Sequence, residues 1–275
     1  LGNKTKCLHA MKSLKEAMLW DEQNYGREYD LEIYNIVAVD SFNMGAMENK
    51  GLNIFNSHYV LADNEVATDS DFMGIQSVIA HEYFHNWTGN RITCRDWFQL
   101  TLKEGLTVFR DQCFSGDMNS KEVQRIKDVK ALRERQFVED ASPTSHPIQP
   151  KSHISMNNFY TSTVYEKGAE VIRMIYTMIG KEKFREAMDI YFEKFDAMAV
   201  TTDDFLWAMS EGGGIDLTQF KRWYHQSGTP RLKVEEEYKD GCYKLLLTQK
   251  IADSIDKTKQ EPYLYPLKIA LIGED

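Results

Sequence analysis

Apolar positions recur at three- and four-residue steps through residues 7–22, where Leu8, Met11, Leu14, Met18 and Leu19 predict a helix closed by Gly26. The period then shortens to two. Tyr29, Leu31 and Ile33 alternate with Asp30 and Glu32 ahead of Ile36-Val37-Ala38-Val39, which predicts a strand over 29–42 that breaks at Asn43-Met44-Gly45. A second strand-like run covers 52–61. Asp69 or Ser70 is then placed to cap a helix carrying Phe72, Ile75, Val78 and Ile79, running through His81 and His85 to Gly89-Asn90. Further helical patterns cover 100–114, 121–138, 160–179, 183–195, 203–209 and 217–225, with a proline-punctuated loop at 141–155. Past Ser227-Gly228-Thr229-Pro230 the pattern changes, and 231–238, 243–249 and 264–271 read as strands. A mixed sheet early in the chain, then helices, then strands is an α+β order. It puts a domain boundary near Gly228, with one domain over 1–228 and the truncated beginning of a β domain over 229–275.

With 275 residues, 42% hydrophobic and 12% aromatic, the chain can bury a sizeable core. No run approaches the roughly 18–20 apolar residues of a spanning helix, so a membrane partner is not expected. Thirty-three basic against 42 acidic residues give a net charge of -9, and that balance argues against nucleic acid. Glu235-Glu236-Glu237 reads as a solvated strand face. Cys7, Cys94, Cys113 and Cys242 are far apart and form no C-x-x-C pair, which suits free thiols in a reducing cytoplasm. The chain opens at Leu1 without an initiator Met or a signal pattern, the form expected of an excised fragment.

Chemistry concentrates in His81-Glu82-Tyr83-Phe84-His85. Positions i and i+4 share a helix face, so two imidazoles can grip one metal ion while Glu82 holds a metal-bound water. Zinc with three protein ligands and an open position lowers the pKa of that water to about 7. A third ligand is needed, and Glu104 lies eighteen residues past His85 on the next predicted helix. Asn86 and Asp111, on the same two helices, are candidates to hydrogen-bond the ligands. His58, His146, His153 and His225 lack a partner at ligand spacing and read as structural.

His81-Glu82-x-x-His85, eighteen residues, then Glu104 is the gluzincin metallopeptidase pattern, and Gly45-Ala46-Met47-Glu48-Asn49 stands upstream of it. Together with the segments 43–56, 83–110 and 157–174, these motifs resemble the bacterial cytosolic branch of the aminopeptidase N family over nearly the whole chain. The resemblance implies a thermolysin-like zinc metallopeptidase domain followed by the start of a small β-sandwich. It also implies one zinc per chain, held by His81, His85 and Glu104, and release of the first residue from peptides with a free N-terminus. Glu82 would act as general base. Glu48 would bind the substrate α-amine, where a carboxylate suits an ammonium leaving water. Gly45 and Ala46 would present backbone along an edge strand. Tyr165, in Thr163-Val164-Tyr165-Glu166-Lys167-Gly168, would stabilise the tetrahedral intermediate, and Met44 and Tyr160 would line the first side-chain pocket. Without the resemblance, Tyr165 reads as helix packing and 45–49 as a turn. Relatives of full length carry a β-rich domain before this region and a helical domain after it. The chain alone is therefore expected to keep the zinc chemistry with a weakened substrate site. An endopeptidase and a zinc module without catalysis are the rivals; Glu48 argues against the first, Glu82 and Tyr165 against the second.

Overall fold

A computed structural model describes residues 2–250 and 260–272. Helix α1 (Leu8–Tyr25) ends in a left-handed Gly26, φ 63°, and buries Leu14, Ala17 and Trp20. Three strands follow: β1 (Asn35–Val39), β2 (Ala46–Met47) and β3 (Leu52–Asn56). They form a mixed sheet in the order β1-β3-β2, with β1 parallel and β2 antiparallel to β3. The first strand is much shorter than its alternation predicts. Tyr29 and Tyr34 leave the ladder to pack on Tyr83, and Asp30 turns to Lys50 and Arg91. The run 52–61 also stops early, because the Asn56 side chain accepts from the His58 backbone N–H and opens a 3-10 turn.

Helix α2 (Asp69–Phe84) is capped by Thr68, one residue earlier than predicted. Thr68 and Asp71 exchange side-chain and backbone hydrogen bonds, and this reciprocal box needs the three-residue spacing that Asp69 and Ser70 lack. The helix ends at Phe84, with His85 as its C-terminal cap. Beyond a two-residue strand β4 (Thr93–Cys94) comes α3 (Leu100–Met118), longer than predicted. Helix α4 (Lys121–Ala131) continues through a π-turn (Leu132–Gln136) into the short α5 (Phe137–Asp140). A second π-turn (Thr163–Lys167) opens α6 (Gly168–Phe195), which breaks at Gly180, φ 81°, between the two helices read from the sequence. Strand β5 (Ala199–Val200) pairs in parallel with β4, and α7 (Thr202–Gly213) starts at a second box, Thr201 with Asp204.

The helix predicted over 217–225 is reduced to α8 (Arg222–His225). Residues 218–221 form turns, and Asp216 accepts from the Thr218 N–H at 2.8 Å ahead of them. Strands β6 (Arg231–Lys239) and β7 (Cys242–Lys250) form a hairpin in nine-residue register. Asp240 and Gly241, φ 52° and 76°, give it the two-residue left-handed turn that suits strand twist. Glu235, Glu236 and Glu237 are exposed on it. The strand predicted over 264–271 is not formed. Tyr263 bonds the Gln249 side chain rather than a backbone ladder, and its ring stacks on Trp223.

One apolar core joins the helices, with Ile75, Ile79, Leu106, Phe109, Ile175 and Phe192 all buried. Where α3 crosses α6 the contact is close. A Cβ on Gly168 would lie 2.3 Å from Thr101 Oγ1, and one on Gly105 would lie 2.9 Å from the Gly168 carbonyl carbon. That crossing sets the second π-turn against the helix that carries Glu104.

Candidate metal and substrate site

Helix α2 presents His81 and, at its cap, His85 toward α3. The two Nε2 atoms are 3.0 Å apart, and each lies 3.2–3.3 Å from Glu104 Oε2. Opposite ring nitrogens are anchored: His81 Nδ1 donates to Asp111 Oδ2 at 2.8 Å, and His85 Nδ1 to the Thr88 carbonyl at 2.9 Å. With both Nδ1 atoms facing acceptors, the neutral rings aim two lone pairs at one point, beside a carboxylate oxygen. That is an electrostatic conflict which a proton or a metal cation between them relieves. A tetrahedral ion with bonds of about 2.0–2.1 Å has ligand–ligand edges of roughly 3.3 Å, and this triangle nearly matches them. The residues present therefore fit a metal ion. Asp111 hydrogen-bonds His81, as its place on α3 allowed. Asn86 does not: it bonds Lys50 and Asp30 instead.

Glu82 points into the same space, and its Oε2 is buried with no hydrogen-bond partner among the described residues. Burial pushes its carboxyl up to about 7, with His81 and His85 pulling the other way. Burial would raise Glu104 too, but the surrounding imidazoles and the Lys103 ammonium hold it well below the usual range.

A cleft of about 410 Å³ opens over this centre, lined by Met44, Gly45, Ala46, Glu48, Tyr160 and Tyr165 as well as the metal-site residues. All the site residues read from the sequence thus meet in one cavity. Glu48 is 6% exposed at the end of the β2 edge, and Asn90 Nδ2 fixes its backbone carbonyl at 2.8 Å. With Glu82 and His85 it forms a second group of converging ligand-type atoms. Tyr160 and Tyr165 stand with ring centroids 6.4 Å apart. Burial and the hydrogen-bonded Glu104 carboxylate both raise the Tyr165 phenol.

Lys103 was legible only as the neighbour of Glu104. Its side chain bridges Glu48 and Glu104, reaching Glu104 Oε1 at 2.8 Å. Burial alone would depress its ammonium, but the two carboxylates raise it. The signal available in the sequence was the cation beside a ligand carboxylate, which charge balance at a site with two glutamates favours.

Paired imidazoles closed by a glutamate, with a buried carboxylate at hand, are the apparatus of a metallopeptidase. Comparison with known proteins carries this to a family. Residues 9–224 match the peptidase family M1 domain, and the chain belongs to that family. It is 58% identical over 276 residues to aminopeptidase N of Escherichia coli K12, a match covering 100% of this chain and 32% of the relative. It is also 58% identical over 272 residues to aminopeptidase N of Haemophilus influenzae, covering 98% and 31%. The crystal structure of Legionella pneumophila aminopeptidase A in complex with aspartic acid superposes with a TM-score of 0.83 at 36% identity, over 90% of this chain and 28% of that one. The chain spans about a third of the length of the curated relatives it matches. Among the described residues no helix is long and apolar enough to cross a membrane.

Proposed function

We propose that the chain is the catalytic region of a zinc aminopeptidase that removes the first residue from peptides with a free N-terminus. The observation that carries this reading is the meeting of Glu48 with the His81–His85–Glu104 triangle in one cleft. A metal site alone supports a general peptidase; a buried carboxylate beside it supports recognition of a substrate ammonium.

His81, His85 and Glu104 would hold the zinc. When bound, that ion supplies Lewis acidity to the scissile carbonyl and lowers the pKa of water. Glu82 accepts the proton of the attacking water on its unpartnered oxygen and returns it to the leaving amine. Tyr165 offers its phenolic O–H to the oxygen that gains charge. Glu48 can receive the α-ammonium while still paired to Lys103, because a carboxylate accepts about four hydrogen bonds. Beta-strand β2 is the end strand of its sheet, which suits a peptide laid along Gly45 and Ala46. Met44, 42% exposed at the rim, and Tyr160 would meet the first side chain.

The hairpin β6–β7, beyond Gly228, is assigned to the opening of a second, β-sandwich domain; residues 251–259 and 273–275 of that segment lie outside the described residues. Four free cysteines are in keeping with a cytoplasmic setting. The domains that precede and follow this region in longer relatives would complete the cavity, and the region alone should turn over slowly.

The test compares an alanyl peptide with its N-acetylated twin, using the complete natural chain. Cleavage of the free peptide only is expected. Equal cleavage of both would leave the metal chemistry standing and make the enzyme an endopeptidase.

A further inference from the structure

The first π-turn and α5 lie against the second π-turn, and the contacts between them are polar and specific. Glu139, just past the first, accepts through Oε2 from both the backbone N–H and the Oγ of Thr163, each at 2.7 Å. Gln136 Nε2 donates to the same Thr163 Oγ1 at 3.2 Å. At the far end of the second turn, Lys167 is buried and donates to Asp140 Oδ2 at 2.8 Å. From α3, Thr101 Oγ1 donates to the Val164 carbonyl at 2.8 Å. The second turn, Thr163 to Lys167, is therefore held at its start, its middle and its end, and Tyr165 is its central residue.

A π-turn needs such holding. It carries an extra residue per turn and is rarely stable against ordinary α-helix. Relaxing it to α would rotate one flank by about 100° about the axis, the advance of a single residue. Tyr165 would then swing away from Glu104 and the cleft. Thr163, at the start, is fully buried, so without Glu139 its N–H and hydroxyl would keep only Gln136 as a neighbour among these contacts.

Resting on the reading of Tyr165 as the donor to the reacting carbonyl, we propose that Glu139 is the positioning residue for that phenol. It touches neither substrate nor metal. It fixes the register of the turn by satisfying both donors of Thr163 with one carboxylate oxygen, and so aims the Tyr165 O–H into the cleft.

The experiment uses the zinc-loaded complete chain and steady-state kinetics on an alanyl peptide. Glu139→Ala should lower kcat about 10- to 100-fold, the scale of an ångström-sized misplacement, with KM within about twofold and zinc content unchanged. Glu139→Gln, whose amide oxygen still accepts from Thr163, should recover much of that loss. Thr163→Val removes only the hydroxyl and should cost a few-fold, a milder variant should Glu139→Ala fold poorly. Lys130→Ala, which breaks the exposed Lys130–Glu134 pair at the end of α4, should leave turnover unchanged. Combining Glu139→Ala with Tyr165→Phe should be no worse than Tyr165→Phe alone, because a mis-aimed phenol and an absent one are equivalent. Losses that multiply in the double variant, or a Glu139→Ala enzyme with normal kcat, would overturn the proposal while sparing the role of Tyr165. Full turnover by Tyr165→Phe alone would remove that role, and the proposal with it.

Discussion

Replacing Asp21 by Asn changes one oxygen for an amide and leaves the volume of the core untouched. Its partner Arg110 is among the largest fully buried side chains, and both members of the pair are 0% exposed. Arg110 also donates through Nη1 to the Phe84 carbonyl and to Thr88 Oγ1, each at 3.0 Å, and stacks on the rings of Tyr25 and Phe84 at 4.7 and 4.8 Å. It is fixed from all sides and cannot follow its lost counter-charge into water. Removing one partner of a buried pair leaves the other charge uncompensated, at a cost of about 3–5 kcal/mol. Asp21 Oδ2 has no partner among the described residues, so an amide nitrogen in its place would add an unsatisfied donor. For a domain of this size the loss corresponds to a fall in Tm of roughly 6–20 °C. Denaturant unfolding followed by tryptophan fluorescence, with the slope checked against wild type, reads the free energy directly. The same substitution should loosen zinc, since Arg110 secures the Phe84–Thr88 turn and the Thr88 carbonyl orients His85. A destabilisation below about 1 kcal/mol, the range of surface pairs, would refute the argument that burial makes this pair indispensable.

Glu104→Ala opens the triangle and should abolish stoichiometric zinc; metal analysis after dialysis that finds a full equivalent would sink the assignment. Tyr165→Phe should keep zinc and lose about 10²–10³-fold in kcat, the scale of one lost oxyanion donor; near-normal turnover would remove it from the mechanism. Gly168→Ala drives a methyl into Thr101 and should cost about 1–3 kcal/mol of stability, with a kcat loss as Tyr165 is displaced. Burial would raise the Asp30 carboxyl, yet hydrogen bonds from Lys50, Asn86 and Arg91 bring it down to about 2. A folded value below the ordinary carboxylate one means its stabilisation is full above about pH 4 and fades as pH falls toward 2. Acid unfolding of Asp30→Asn should be flatter across that window, and an unchanged slope would contradict the pairing.

The proposed metal ligands were readable because their chemistry is local. His81, Glu82 and His85 occupy one helical turn, and Glu104 follows on the next helix. Glu48 and Tyr165 are different: nothing in their own surroundings distinguishes them from a turn residue and one of 14 tyrosines, and they are proposed from resemblance alone. Element identity was mostly legible, but element ends were not, since side chains decide them. Thr68 outcompetes Asp69 and Ser70 because Asp71 reaches back to it, and only the last four residues of the predicted 217–225 helix are helical. The π-turns left no periodic signature at all, since an extra residue in a helix only blurs a 3.6-residue pattern.

Three pairings that escaped the sequence share one property: they join distant residues through polar groups in buried or half-buried places. Lys103 to Glu48, Glu139 to Thr163 and Arg110 to Asp21 join residues 55, 24 and 89 positions apart. Each contact costs desolvation that a surface pair avoids, so each is poorly explained as a source of stability. Position explains them better. The first balances charge beside Glu48, the second fixes the turn under Tyr165, and the third secures the chain just after His85. An apolar replacement of similar volume could fill any of these spaces. It could not hold a carboxylate, a phenol and an imidazole within hydrogen-bonding accuracy around one point, which is what the proposed reaction requires.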